Sequence, residues 1–325
     1  MSSFRKINYS LRPAKAVERK MLNFSFKKFS HFGKLSDYQY IGFGSTTFHD
    51  FILFHKELGI EKMISIESSG NKNRFNFNKP FSCIEMAYGN SKTVLPTIDW
   101  NTKTILWLDY DKPLLDYYLS DIDTFISSAL SASSIIITFK FEPEAYGPTN
   151  EERKQYLINE IGEQNLPFGN KPIDFSCVNL PLTLYKIIIN RIKSKLSIRN
   201  GGLVGNEKMD FEQIFHFHYS DGAKMLTIGG VLVNHDDKNI FVDYNLKEYN
   251  FLRDSETPFD IDIPILTMKE VRFLNSQMPN GIDAVGNILD PLLINDFNPN
   301  LTNGEVLKFS NIYRFFPHYA EAFSI

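Results

Sequence analysis

Between residues 38 and 141 the chain alternates short apolar runs with segments of helical periodicity, and that alternation restricts it to an α/β fold built on a parallel sheet. The runs are YQYIGFG (38–44), KMISIE (62–67), FSCIEMAY (81–88), TILWLDY (104–110) and SIIITFKF (134–141). Each has strand length, and most are apolar on both faces, as strands covered by helices must be. Between the first two, TTFHDFILFHKELG sets Phe48, Phe51, Ile52, Phe54 and Leu58 at helical spacing and stops at Gly59. PLLDYYLSDIDTFISSAL (113–130) repeats the pattern before the fifth run. Right-handed crossovers of this kind predict a doubly wound, mostly parallel sheet.

After residue 141 the pattern loosens. A helix is predicted over 151–162, Pro167 and Gly169 interrupt it, and a long helix follows from about 182 to 196. In FEQIFHFHYSDGAKMLTIGGVLVN (211–234), two alternating arms flank Asp221 and Gly222, a pair that hairpin turns favour. This is an antiparallel hairpin added late to the sheet. The chain therefore divides into a basic helical segment (1–35), an α/β domain (36–235) and a C-terminal extension (236–325). Its final stretch holds Tyr313, Phe315, Phe316, Tyr319 and Phe323, spaced for packing more than for stacking on bases.

Aromatic residues make up 14% of the chain and charged ones only 22%, so it can bury a large core and is not intrinsically disordered. It has neither an apolar run long enough for a membrane helix nor a stretch of signal-peptide type, so a cytoplasmic location is expected. Cys83 and Cys177 both sit in apolar patterns and read as core thiols; two cysteines build neither a disulfide framework nor a Cys-rich zinc site. His216 and His218 share a strand face, yet with no third ligand nearby they read as a polar face, and no metal is expected. The net charge of -3 is unevenly spread: residues 1–34 hold nine Lys or Arg against Glu18 alone, leaving the remainder at -11. A basic segment of that kind attracts anionic partners, with Arg12 and Lys15 as candidate contacts. A second basic stretch at 186–200 reads as a solvated helix face.

Open parallel sheets bind ligands at the carboxyl ends of their strands, and four polar features fall there. They are the turn Gly42-Phe43-Gly44-Ser45, Glu67, Gly89-Asn90-Ser91, and Asp109 with Asp111. Glycines permit close backbone approach, and a carboxylate is the natural acceptor for a cis-diol. Over residues 36–235 this arrangement resembles the class I S-adenosylmethionine-dependent methyltransferases. The resemblance implies that Gly42, Gly44 and Ser45 meet the methionine end of that cofactor. Glu67 would meet the ribose hydroxyls and Gly89 with Asn90 the adenine. Asp109 and Asp111 would then face the methyl group as general base or orienting acceptor; otherwise Asp111 caps a helix starting at Pro113.

YIGFGS, MISIE and WLDYD together also resemble bacterial proteins labelled O-methyltransferase, some encoded near antiphage systems. The motifs of amino-methylating base enzymes and the Pro-Cys nucleophile of carbon-5 cytosine enzymes are missing. The basic N-terminus favours a nucleic acid or a phosphate-bearing nucleotide as acceptor. A small-molecule O-methyltransferase, and a non-catalytic module that binds a nucleotide or a protein partner, are the other readings.

Overall fold

A computed structural model describes residues 12–167, 173–243, 248–289 and 301–317. In chain order the elements are α1 (Pro13–Phe26), β1 (Gln39–Gly42), α2 (His49–Leu58), β2 (Lys62–Glu67), α3 (Lys72–Asn78), β3 (Ile84–Tyr88), α4 (Ser91–Val94), β4 (Thr104–Asp109), α5 (Asp116–Ser128), β5 (Ser134–Lys140), α6 (Asn150–Ile161) and α7 (Leu180–Asn200). There follow β6 (Asp210–Ser220), β7 (Lys224–Val233), α8 (His235–Val242), β8 (Phe259–Ile261), α9 (Met268–Gln277) and α10 (Asn303–Ile312). Among the described residues eight strands form one sheet in the order β3-β2-β1-β4-β5-β7-β6-β8. β1 to β5 pair in parallel, β7 runs antiparallel to both β5 and β6, and β8 lies parallel to β6. This is the α/β class expected, a mostly parallel, doubly wound sheet with the late hairpin at Asp221.

The central strands are apolar throughout because both faces are covered. Ile41, Leu106, Leu108, Ile135 and Ile137 face a core supplied by α5, α6 and α7. Tyr40, Ile105, Trp107 and Ile136 face the opposite core, built from α1, α2, Phe215 and Phe217. The alternation of neighbouring residues between two cores is the period-2 signature of a strand seen from both sides. α1 has an apolar stripe through Ala14, Val17, Met21 and Leu22, all fully buried, with Pro13 at its start. Phe251, Ile312 and Phe315 from the last third of the chain join that same core.

Several details differ from the sequence reading. The helix expected from Pro113 begins at Asp116, since Leu115 is extended and the Leu114 amide donates to the Tyr146 hydroxyl. Asp111 therefore does not cap it. The long helix runs to Asn200, where the Arg199 guanidinium bonds the carbonyls of Ile126 and Ala129 at the end of α5. Arg191 makes a two-point contact with Asp123, so this basic stretch is partly structural. Cys83 is half-buried and Cys177 exposed, so Cys177 is not a core thiol. β8, only three residues long, carries too little pattern to be read from sequence. Of the aromatic tail, Phe315 is buried, Phe316 packs against the same core, and Tyr313 packs on the small cluster of Val271, Leu274, Val306 and Phe309; Tyr319 and Phe323 lie outside the described residues. No described helix is long and apolar enough to cross a membrane.

Candidate active site

The carboxyl ends of β1, β2, β3 and β4 open into one cavity of about 690 Å³. Gly44, Ser45, Glu67, Gly89, Asn90, Asp109 and Asp111 all line it, so the strand-end features separated in sequence meet in space. Gly42 does not line it. A Cβ at Gly42 would come within 2.5 Å of the Tyr40 hydroxyl and 3.3 Å of the Trp107 carbonyl, so this glycine lets the Tyr40 ring lie across the strand. Gly44 combines both roles: it borders the cavity, while a Cβ there would strike the Phe48 ring at 2.5 Å and its amide already donates to Ser65 Oγ. Past it the backbone is strained, with Ser45 and Phe48 at φ of 53° and 49°. Non-glycine residues in this region concentrate at functional turns.

At the turn end of the cavity two buried polar atoms have no hydrogen-bond partner, Ser45 Oγ and Arg19 Nε. Arg19, 9% exposed, comes from α1 and stands 3.6 Å from Asp50 in the first turn of α2. Asp50 in turn accepts from the Tyr40 hydroxyl at 2.8 Å. No side chain caps the N-terminus of α2. A cation, an anion, a hydroxyl and a helix N-terminus thus face the space beside the glycine turn, the donor set a zwitterionic amino-acid group requires. Arg19 and Asp50 were not singled out from sequence. Arg19 stands seven residues after Arg12, on the helical face shared with Lys15, and that spacing was the available signal. An acid in a first helical turn, as at Asp50, reads only as a complement to the dipole.

Glu67 ends β2 with its carboxylate turned into the cavity and accepting the Ser69 amide at 2.8 Å. Burial pushes its pKa up, opposed by backbone hydrogen bonds from Ser69 and Ser68. Asn90 uses its side-chain oxygen to cap α4 through the Lys92 amide at 2.9 Å, while remaining exposed at the cavity rim. Tyr110, between the two candidate acids, is buried, stacked on Tyr118 and bonded to Asp121 at 2.6 Å. All three border the cavity, with Tyr110 buried, Asp109 half-buried and Asp111 exposed.

Lys15 is not a surface contact. Its side chain is fully buried and its Nζ lies 2.7 Å from both Asp109 and Glu18, 3.2 Å from the Tyr219 hydroxyl and 4.3 Å from the centre of the Trp107 ring. Burial pushes the Glu18 carboxyl up, and the Lys15 ammonium works against that. Arg12 lines the cavity and lies 3.8 Å from Asp221. The rest of the basic segment is also largely matched: Lys20 bonds the Phe315 and Phe316 carbonyls, and Lys27 and Lys28 pair with Glu57 and Glu248. Arg5 and Lys6 lie outside the described residues. His216 and His218 are packed against Tyr185 and Phe141, and among the described residues no cluster of three potential metal ligands occurs.

Fold and cavity define a class I methyltransferase-like protein. The chain belongs to the family described as "Putative O-methyltransferase", whose model matches residues 7–324. No curated protein matches it. Among solved structures it is similar to Trm1 from Pyrococcus horikoshii with S-adenosyl-L-methionine, at 12% identity over 76% of this chain and 64% of that one, TM-score 0.44. It is similar to Trm5b from Pyrococcus abyssi, at 12% identity over 68% and 49%, TM-score 0.37. A third is the LepI complex with SAM, at 11% identity over 65% and 46%, TM-score 0.36. The chain thus spans less than two thirds of the length of each, and the likeness is one of fold.

Proposed function

We propose that this protein is an S-adenosylmethionine-dependent methyltransferase whose acceptor is a phosphate-bearing nucleotide, free or within a nucleic acid. The observation that carries the reading is the meeting, in one cavity, of Arg19, Asp50 and Ser45 beside the glycine turn, Glu67, and the carboxylates Asp109 and Asp111. Arg19 would take the cofactor's carboxylate and Asp50 its ammonium, Ser45 would support the same end, and Glu67 would bind the ribose hydroxyls. Asn90 and Gly89 would border the adenine. The cofactor supplies an electrophilic methyl group; the protein's part is to align the acceptor and take its proton.

At the acceptor end Asp109 is held by Lys15, so it suits a fixed hydrogen-bond acceptor. Asp111, exposed at the cavity, suits the proton-accepting role. Lys112, Lys140 and Arg12 line the same end, and their charge favours a phosphate on the acceptor. A long polyanion has less support than the sequence suggested, because most described cations of residues 12–34 are matched within the protein. The second reading, a small-molecule O-methyltransferase with a neutral acceptor, is favoured by the apolar walls Phe43, Tyr117 and Met225.

The test is transfer of labelled methyl from S-adenosylmethionine to mononucleotides, RNA, DNA and phenolic metabolites. Label on phosphate-bearing acceptors, lost in Asp111→Asn, supports the reading. Label on neutral metabolites alone moves it to the second, and cofactor binding with no transfer to any class leaves a non-catalytic module.

A further inference from the structure

The paired cations at the cavity have one carboxylate each, except in one place. Arg12 has Asp221 at 3.8 Å, Arg19 has Asp50 at 3.6 Å and Lys140 has Glu142 at 3.7 Å. Lys15 instead stands between two carboxylates, Asp109 and Glu18, 2.7 Å from each. Lys15 and Glu18 have no exposed side-chain surface, whereas Asp109 keeps 26% and reaches the cavity.

Two groups favour the ionised form of Glu18 against its burial, the Lys15 ammonium 2.7 Å from Oε2 and the Thr227 hydroxyl at Oε1. Behind Thr227, the Trp107 indole donates to Thr138 Oγ1 at 3.1 Å, and Thr138 Oγ1 lies 2.8 Å from Thr227 Oγ1, where either hydroxyl can be the donor. Such chains strengthen each member. With Glu18 ionised, one ammonium and two carboxylates leave one negative charge in excess, beside the Trp107 and Tyr219 rings and reaching the cavity through Asp109.

We propose that this cluster makes the site select a ligand carrying a sulfonium cation over the corresponding neutral thioether, with Glu18, which touches neither, as the specificity-determining residue. The inference rests on the cofactor reading above. The two forms of that cofactor, before and after transfer, differ by one methyl group and one positive charge. A buried excess charge tells the two forms apart only through that difference, since it acts alike on the groups they share. Lys15 alone would neutralise Asp109; Glu18 restores the field at the cavity wall, and the attraction ends when the methyl group has left.

The test is calorimetric titration of the full chain with S-adenosylmethionine and S-adenosylhomocysteine. In Glu18→Gln the preference for the charged form over the neutral one should fall on the order of tenfold, with affinity for the neutral form nearly unchanged. Lys15→Met should move the preference the other way. An unchanged preference in folded Glu18→Gln, or equal loss of both ligands, overturns the proposal. If Glu18→Gln does not fold, Asp109→Asn removes the same unit of charge at the cavity wall, and an unmoved preference there overturns it equally. Failure of the folded wild-type chain to bind either ligand overturns the cofactor reading and this inference with it. Binding of both with an unmoved preference in the variants overturns this inference alone.

Discussion

Asp221, in the turn between β6 and β7, accepts the backbone amides of Ala14 at 3.1 Å and Lys15 at 2.8 Å, capping α1 from 206 residues away. The residue at the helix's own N-cap, Arg12, offers no side-chain cap, so the first turn depends on the hairpin for its acceptor. The same contact holds Lys15 where it meets Asp109. Asp221→Ala should therefore cost about 1–2 kcal/mol of stability, measured by urea unfolding, and should also weaken cofactor binding by loosening Arg12, Lys15 and Arg19 together. A stability loss with cofactor affinity intact would separate the cap from the site.

If Glu67 holds the ribose hydroxyls as proposed, Glu67→Ala should leave the fold intact and weaken S-adenosylmethionine at least tenfold or so, because the alanine keeps no acceptor at that half-buried position in the cavity. Calorimetry beside a thermal melt reads both quantities. Gly42→Ala should do the reverse, lowering the melting temperature through the clash with Tyr40 before it affects the ligand.

Asp111→Asn should lower turnover by roughly 10²–10⁴-fold with cofactor affinity unchanged, if its carboxylate takes the acceptor's proton. Steady-state kinetics on whichever acceptor carries label, together with a cofactor titration, decides it.

Asp121, buried beneath the Tyr110 hydroxyl, has its pKa pushed up to about 6, chiefly by burial. Its folded form holds a proton that the unfolded chain has released, so its contribution to stability is full below the ordinary carboxylate range and declines as pH rises toward 6. The decline should be at most about 3 kcal/mol, and absent in Asp121→Asn. Unfolding midpoints between pH 4 and 7 in both chains measure it.

His216 and His218 act with the opposite sign. Burial lowers them to about 4 and about 3, so the fold keeps them neutral where the unfolded chain takes up protons. Their contribution to stability is intact above pH 6.5 or so and is lost as pH falls toward 4. His218→Gln should flatten that acid limb, which a pH series of thermal melts would reveal.

The strand-end side of the cavity was legible along the chain. The apolar runs had to be strands buried on two faces, parallel strands bring their carboxyl ends to one edge, and Ser45, Glu67, Asn90 and Asp109 sit at those ends by their positions in the sequence. Sequence order alone therefore set them around one opening. What Lys15, Glu18, Arg19, Gly42 and Asp221 do was decided only by tertiary structure. Spacing placed Lys15 and Glu18 on one helical face, but their partners Asp109 and Thr227 lie 94 and 209 residues away. A lysine in a basic segment reads as solvated until folding removes its water, and only through-space neighbours decide whether that burial is compensated. Periodicity records which face of an element is buried; it does not record which charge will be waiting there.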